Sequence, residues 1–448
     1  MINETIRVAG LRLALSRALR PWRATRASHD PGKVLLDVAT AVALGGDCLA
    51  DVAAVRAQCD LFGIVASDPT VSRLLAALTV DASTADAVVA VLRSARAGAR
   101  DRVWSRRRPL AGTPGTRDGG QVIVDIDATL VIAHSDKQGA EATYKKSYGF
   151  APMCAFVDHG AHGTGETLAL DLRPGKASPF DSAGHITVLQ AALAQLPAAE
   201  RDQVLVRTDA GGASKSLVHH VSAAGLQYSI GFPAHGPVQT AIETIPEQAW
   251  VAALDGDGTP REGAQVAELT DWMPAPVKPT RSPARYGPQE WPPGLRVIAR
   301  RERPHPGAQL RLTDHNGWRI TCFATNTRGT GWTLPILEVR HRQRARAEDR
   351  IRCLKDTGLH NLPFHSYHAN RIWLEIVALA SDLITWTQTL AFDQHQPARR
   401  WEPKRIRFRL LAVAGRIIHT ARQRRLRLPQ RWPWNHLIHA GWASLRTT

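Results

Sequence analysis

The chain has 448 residues, of which 44% are hydrophobic, so it is long enough for two or three domains and can bury a sizeable core. Its 57 lysines and arginines outnumber its 40 acidic residues and give a net charge of +17, which favours a polyanionic partner and excludes an acidic scaffold. Its five cysteines lack Cys-x-x-Cys spacing, and no run approaches the roughly 18 apolar residues of a membrane span, so we expect a soluble cytoplasmic protein with no zinc site, disulfide framework or membrane partner.

Residues 1–110 are predicted to form an all-helical region. Ala, Leu and Val recur at helical spacing, and Ser-Asp-Pro-Thr at residues 67–70 is typical of a helix start. These patterns predict helices that include residues 33–44, 71–75 and 85–97. A glycine turn before the second helix is consistent with a DNA-binding helix-turn-helix that presents three polar side chains, Thr70, Ser72 and Arg73. Helix pairs with a glycine turn also occur in ordinary bundles, so both interpretations stand.

A linker rich in Pro and Gly at residues 109–120 is followed by alternating strands and helices. The pattern predicts three strands, a helix, a strand, a helix and a strand, in that order, at residues 121–134, 149–158, 166–173, 186–196, 203–208, 214–224 and 226–232. We assign residues 119–233 to the first part of a core in which helices flank a mixed sheet. The predicted fold is therefore a multidomain α/β fold.

Residues 234–333 are dense in Pro and Gly and contain two candidate strands, residues 295–301 and 318–325. An Asn-Gly pair just before the second strand is a hairpin signal. This composition predicts a β-rich insertion domain that interrupts the core. A long helix over about residues 335–357 then opens the second part of the core, residues 334–393.

Residues 394–448 form a basic tail, with 13 Arg and Lys against the single acid Glu402. Apolar residues from Phe408 to Ile418 recur at helical spacing between arginines, which predicts a helical tail. Such a helix is either a solvated appendage or an element that follows the DNA backbone.

Two aspartates lie on one face of the first predicted strand. Side chains alternate along a strand, so Asp125, Asp127 and Thr129 share a face. Buried carboxylates are costly without a partner, and a divalent cation is a partner that would make them useful. The alternative is an edge strand with one solvated face. Either aspartate is a candidate metal ligand.

Asp209 is a third candidate, because it directly follows the apolar strand at residues 203–208. The carboxyl ends of strands are where open α/β sheets bind their ligands. The alternative is an aspartate that caps a turn.

The predicted helix at residues 335–357 carries a fourth acidic position. A rotation of about 100° per residue places four side chains within a stripe about 60° wide, His341, Arg344, Glu348 and Lys355. One acid thus lies among three potential phosphate ligands. The alternative is a surface helix with ordinary ion pairs four residues apart.

The order of these elements and acids resembles the DDE transposases, a family with a ribonuclease-H-like core that is interrupted by a β-rich insertion. The spacing His341-x2-Arg344-x3-Glu348-x6-Lys355 is similar to the Tyr-x2-Arg-x3-Glu-x6-Lys signature of bacterial insertion-sequence transposases, with His in place of Tyr. The segments around the acids further resemble the insertion-sequence group allied to the piggyBac transposases.

The resemblance implies that Asp127, Asp209 and Glu348 are the catalytic, metal-binding residues. The family's first Asp generally lies two residues before Thr or Ser, which favours Asp127, with Asp125 as the alternative. The implied cofactor is a pair of Mg²⁺ ions, replaceable by Mn²⁺, for in-line displacement at phosphorus. DNA contacts are expected from five side chains, His341, Arg344, Lys355, Lys145 and Lys146. The last two are otherwise solvated loop lysines.

The resemblance implies a DNA transposase that cleaves and joins strands at the terminal inverted repeats of an insertion sequence. The expected partners are double-stranded DNA, as both repeat ends and target, and further copies of the chain in a dimer or larger assembly at the nucleoid. One alternative is a catalytically inactive, transposase-derived DNA-binding regulator. Another is a different ribonuclease-H-like nuclease, such as a junction resolvase, which lacks the signature from His341 to Lys355.

Overall fold

The computed structural model describes residues 1–106, 121–161, 163–274, 290–305, 307–309, 314–393, 395–420 and 423–447. The linker predicted at residues 109–120 lies outside this part of the chain. The described residues form a mixed α/β fold with one large sheet and many helices.

The large sheet has nine strands in the order β6-β5-β1-β7-β8-β12-β11-β10-β9, of which the last four are β12 (Arg319–Thr325), β11 (Arg296–Glu302), β10 (Pro260–Glu268) and β9 (Val251–Leu254). Its first five strands in the chain are β1 (Val122–Ala128), β5 (Met153–Asp158), β6 (Gly165–Asp171), β7 (Val204–Thr208) and β8 (Gln227–Phe232). Strand β1 is parallel to β7 and antiparallel to β5, and β7 is parallel to β8. Two helices connect these strands, α8 (Ser182–Ala194) and α9 (Lys215–Ala223). The predicted order of three strands, helix, strand, helix and strand is confirmed.

The first predicted strand, residues 121–134, is divided in the structure. Strand β1 ends at Ala128, and the Thr129 amide donates to the carbonyl of Pro152. The chain then enters a separate three-stranded sheet made of β2 (Val131–Ile132), β3 (Glu141–Ala142) and β4 (Tyr148–Phe150). The break places Asp127 near the carboxyl end of a core strand.

The residues predicted as an insertion domain supply strands, but these extend the core sheet instead of forming a sheet of their own. After α10 (Pro237–Thr244) they are β9 (Val251–Leu254), β10 (Pro260–Glu268), β11 (Arg296–Glu302) and β12 (Arg319–Thr325). Strand β12 pairs antiparallel with β8, from Cys322 opposite Phe232 to Thr325 opposite Ser229. This pairing covers what would otherwise be an open edge at β8.

The N-terminal helices are α1 (Ile2–Val8), α2 (Leu11–Ala18), α3 (Pro31–Ala43), α4 (Val52–Arg56), α5 (Cys59–Phe62), α6 (Asp68–Leu78) and α7 (Ala82–Arg106). They include the three predicted helices. In the described part of the chain no single helix is long and apolar enough to cross a membrane, and only α6 and α7 together, bent by 108°, reach that length and composition.

The N-terminal helices are joined to the core by a buried ionic network. Helix α13 (Tyr367–Ala391), which the sequence did not single out, packs against α3, α7 and β6. Arg96 and Arg100 of α7 both bind Asp382 of α13, and Arg100 also binds Glu166 of β6 at 2.7 Å. Removing one partner of such a buried pair strongly destabilises a folded protein, because it leaves the other charge buried and unpaired. The helical region and the sheet are therefore one packed unit.

The helix predicted at residues 335–357 is broken into consecutive segments. Helix α11 (Leu334–Arg342) is followed by a 3₁₀ turn (Gln343–Ala345), helix α12 (Arg346–Leu354) and a π turn (Lys355–Leu359). Gly358, with φ of 94°, interrupts the helical backbone next to the predicted end at residue 357, because a left-handed backbone favours glycine.

The tail is only partly helical, which corrects the prediction of a helical tail. It contains a 3₁₀ turn (Pro397–Arg400), α14 (Pro403–Ile406), a π turn (Arg407–Leu411), strands β13 (Arg416–Thr420) and β14 (Gln423–Arg427), and α15 (Asn435–Thr447). The β-branched pair Ile417-Ile418 lies in β13, where its strand propensity is satisfied.

Candidate active site

Asp127 and Asp209 lie at the carboxyl ends of neighbouring parallel strands. The register of β1 and β7 runs to Ile126 opposite Thr208, so the next residue on each strand is one of the two aspartates. Adjacent strands are about 4.8 Å apart, which places the two residues side by side. The sequence predicted a ligand site at the carboxyl ends of the strands. In the structure, Asp127 and Asp209 meet at this edge of the sheet.

The turn after β7 fixes the Asp209 carboxylate. Its Oδ1 accepts a hydrogen bond from the Gly211 amide at 2.9 Å, as a capping aspartate does. Gly231 of β8 allows the close approach, since a Cβ there would lie 2.6 Å from the Ala210 nitrogen. Asp209 thus caps the turn, as the alternative interpretation proposed. The cap uses Oδ1 and leaves Oδ2 available to a ligand.

The environment of Asp127 is rich in negative charge. Burial raises the pKa of its carboxyl to about 6, and Asp209 and Glu348 act in the same direction. Arg344 opposes them, with Nη1 3.3 Å from Asp127 Oδ2. An additional cation at this position would relieve the remaining repulsion.

Asp125 has a different partner, which separates it from Asp127. Arg207 of β7 binds both of its carboxylate oxygens at 2.7 Å, and both side chains are buried. A buried, bidentate pair of this kind neutralises the carboxylate. This leaves Asp127 as the first acid available to a metal ion.

Arg207 also connects the core strands to α11, the helix just before the one that carries Glu348. Its Nη2 binds Asp158 of β5 at 2.7 Å, and its Nη1 donates to the carbonyl of Arg340 at 2.8 Å. Arg346, at the start of α12, binds the same oxygen of Asp158 at 3.0 Å. Burial alone would raise the pKa of Asp158, but the surrounding arginines lower it to about 2. No local sequence pattern indicates this network, because its members are far apart along the chain.

Glu348 extends from α12 with 71% of its side chain exposed, and Arg344 Nη2 lies 3.8 Å from its Oε1. Arg344 therefore lies between Asp127 and Glu348 and contacts both. The ligand oxygens of the three predicted acids do not all lie within 4.8 Å of one another. Within the described residues the only trio that close is Asp47, Cys48 and Asp51. Glu348 would have to move closer to the two aspartates to share a metal ion with them.

Comparisons with known proteins bear on this arrangement. The chain matches the family model described as "Transposase DDE domain group 1" over residues 1–448. The chain belongs to this transposase family. The family recognised from the sequence is therefore confirmed. No curated protein matches the chain.

Among solved structures, the transposase is similar to one titled "Cryo-EM structure of piggyBac transposase synaptic complex with hairpin DNA (SNHP)". The two are 9% identical, with a TM-score of 0.43, over 91% of this chain and 77% of that chain.

In the transposase, His341, which was expected to contact DNA, makes contacts within the protein. Its ring stacks on Phe323 with centroids 4.5 Å apart, and its Nδ1 is 2.9 Å from Ser229 Oγ. Burial, Arg344 and Arg207 lower its pKa to about 3, so the ring is neutral near pH 7. The neutral ring packs α11 against β12, and its contact with DNA stays a prediction.

Two of the expected basic residues, Lys355 and Lys145, influence each other electrostatically. Burial lowers the pKa of Lys355, and the proximity of Lys145 acts in the same direction. Lys145 and Lys146 are exposed in the loop between β3 and β4. Cations whose electrostatic fields overlap in this way attract a phosphate.

The three residues predicted to read DNA lie in the first turn and a half of α6. Ser72 and Arg73 are exposed and Thr70 is partly exposed, and Arg73 Nη2 is 3.3 Å from Thr70 Oγ1. Arg56 of α4 binds Asp68 at 2.9 Å and so holds the start of α6 against the preceding helices. Their contact with DNA stays a prediction.

Proposed function

We propose that this transposase is an enzyme that cleaves and joins DNA strands at the terminal inverted repeats of an insertion sequence, with Asp127, Asp209 and Glu348 as its catalytic residues. The observation that carries the proposal is the meeting of Asp127 and Asp209 at one sheet edge, with Glu348 linked to Asp127 through Arg344. The five strands β1 and β5 to β8, with α8 and α9, constitute the ribonuclease-H-like core of this proposal.

The donor set fits Mg²⁺, which prefers carboxylate oxygens and binds few of them. The raised pKa of Asp127 supports this fit, because burial and then the neighbouring Asp209 disfavour its charged form, and a bound cation would favour it. Asp127, Asp209 and Glu348 would hold the ions. When bound, such ions lower the pKa of water and stabilise charge on phosphate oxygens. Mn²⁺ has the same ligand preferences and should substitute.

The remaining side chains position DNA. Lys355 follows Glu348 on the same run of helical segments, Lys145 influences it electrostatically, and Lys146 is the next residue after Lys145; these three cations are proposed to bind phosphates. Arg344 is engaged by Asp127 and Glu348 in this structure, so it would contact a phosphate only after leaving one of these carboxylates. Thr70, Ser72 and Arg73 present a second surface to DNA on α6. Two repeat ends must meet for joining, so we further propose a dimer or larger assembly on DNA, in the cytoplasm at the nucleoid.

The test measures strand cleavage by purified full-length protein on duplexes that carry the inverted repeats flanking the coding region, with Mg²⁺. D127N, D209N and E348Q should each lower cleavage by about three orders of magnitude or more while end binding is retained. D349N is the matched control, because Asp349 is exposed and next to Glu348. Cleavage retained by any of the three variants would falsify the assignment.

The same assay separates the enzyme from an inactive DNA-binding regulator. A wild-type protein that binds the repeat ends and cuts neither strand with Mg²⁺ or Mn²⁺ would support the regulator. Preference for branched DNA over repeat ends would instead support a junction resolvase.

A further inference from the structure

The C-terminal hairpin forms a sheet of its own. Strands β13 and β14 pair antiparallel, from Arg416 opposite Arg427 to Thr420 opposite Gln423, and join no other strand that the structure describes. An isolated two-stranded hairpin is marginally stable in water. The pairing of its two strands therefore accounts poorly for the stability of the hairpin. We name these two strands, Arg416–Thr420 and Gln423–Arg427, the arginine ribbon.

One face of the arginine ribbon is strongly basic. Residues opposite each other, and residues two apart on one strand, lie on the same face, so Arg416, Arg425 and Arg427 share a face with Ile418. All three arginines are exposed. Like charges directly opposite each other, as in Arg416 and Arg427, destabilise a strand pair. A polyanion bound to this face would remove that repulsion.

The tail, residues 394–448, contains a single acidic residue. No acidic residue follows Glu402 in the sequence, and Glu402 itself binds Arg352 at 3.0 Å. The start of the tail is fixed beside the candidate active site. Lys404 Nζ lies 2.8 Å from Asp356, the residue after Lys355. The basic tail thus leaves the body of the protein from the segment that carries an expected phosphate ligand.

We propose that the arginine ribbon binds in the major groove of duplex DNA, with Arg416, Arg425 and Arg427 contacting phosphates or base edges. The major groove is about 12 Å wide and admits a two-stranded ribbon, whereas the minor groove, about 6 Å wide, does not. The inference rests on the proposed function, since that function makes duplex DNA the substrate, and it adds a contact that the catalytic residues do not provide.

The first test compares the salt dependence of duplex binding. The triple variant R416Q/R425Q/R427Q is matched with R405Q/R431Q/R446Q, which removes three exposed arginines of the same tail outside the ribbon. Each lost phosphate contact lowers the slope of log affinity against log salt by about 1, so the ribbon variant should lose about 3 in slope and at least about tenfold in affinity. The control should lose less than about 1 in slope. Equal losses in the two variants would overturn the proposal.

The second test locates the groove. Dimethyl sulfate methylates guanine N7, which faces the major groove. Wild-type protein and the control should protect some guanines of a bound duplex, and the ribbon variant should lose part of that protection. An unchanged pattern, or equally tight and equally arginine-dependent binding of a single-stranded oligonucleotide, would contradict major-groove binding.

Both tests use the full chain, duplex DNA of arbitrary sequence and EDTA, so no cleavage is needed. A protein that fails to cleave its repeat ends but shows the ribbon-dependent slope would refute the proposed catalysis and keep the ribbon. Unchanged thermal unfolding of both triple variants shows that the comparison is between folded proteins.

Discussion

The carboxyl group of Asp127 is shaped by two opposing influences. Burial and the neighbouring Asp209 raise its pKa to about 6, while Arg344 at 3.3 Å limits the increase. The folded protein thus binds the Asp127 proton more tightly than the unfolded chain, in which the pKa is near 3.8. The stabilisation linked to this proton is complete below about pH 4 and is lost as the pH rises through about 6.

The direction of this pKa shift predicts how D127N changes the thermal stability of the protein in EDTA. At pH 7.5 the variant should unfold at a temperature about 2–4 °C above wild type, because it lacks a buried charge that the protein compensates poorly. Below pH 4 the two proteins should unfold together. The control D349N should show no such pH-dependent difference, since its side chain is 60% exposed. A D127N protein that is less stable than wild type at pH 7.5 would show that the Asp127 carboxylate is stabilised by the fold.

The sequence allowed a candidate site residue to be identified only where its neighbours in the chain form a recognisable pattern. Asp127 is marked by strand alternation, Asp209 by its place after an apolar strand, and Glu348 by the spacing of basic residues around it. The choice between Asp125 and Asp127 required Arg207, which lies 82 positions from Asp125 in the chain. Partners at such separation leave no pattern in a single sequence.

At the scale of elements, buried ion pairs help to fix the helix that carries Glu348 relative to the core strands. Arg346 at the start of α12 binds Asp158, and Arg207 binds both Asp158 and the carbonyl of Arg340. These bonds hold α11 and α12 against β5 and β7. Catalytic groups that are displaced by about 1 Å can lose about a hundredfold in rate.

We therefore expect R346Q to lower the cleavage rate about 10- to 100-fold at saturating DNA and Mg²⁺, while DNA affinity changes little. Asp158 keeps Arg207 as a partner in this variant, so the fold should survive. R352Q removes a charge from the same helix, at a side chain that is 56% exposed, and should retain near-wild-type cleavage. R346K should restore part of the rate. If R346Q cleaves as fast as wild type, Arg346 does not position Glu348.

The sequence predicted some elements less well than others, for physical reasons. Residues 343–345, which separate α11 from α12, contain no Pro or Gly, so the sequence does not indicate this break. The strand at Arg416–Thr420 contains apolar residues that also fit helical spacing, and short apolar runs do not distinguish the two.

At the scale of the whole molecule, the division into domains was the least predictable feature. The composition of residues 234–333 correctly indicated strands, but only the pairing of β12 with β8 shows that they extend the core sheet. The N-terminal helices likewise read as a separate region, whereas buried pairs such as Arg100 with Glu166 join them to the sheet. Both features depend on contacts between distant segments.

The whole account rests on Asp127, Asp209 and Glu348 holding divalent cations together. The most direct measurement is anomalous scattering from crystals of the full-length protein grown with Mn²⁺. We predict that Mn²⁺ contacts carboxylate oxygens of all three residues, and that D209N abolishes this binding. Mn²⁺ bound only at the surface trio Asp47, Cys48 and Asp51, or bound elsewhere without these carboxylates, would contradict the account.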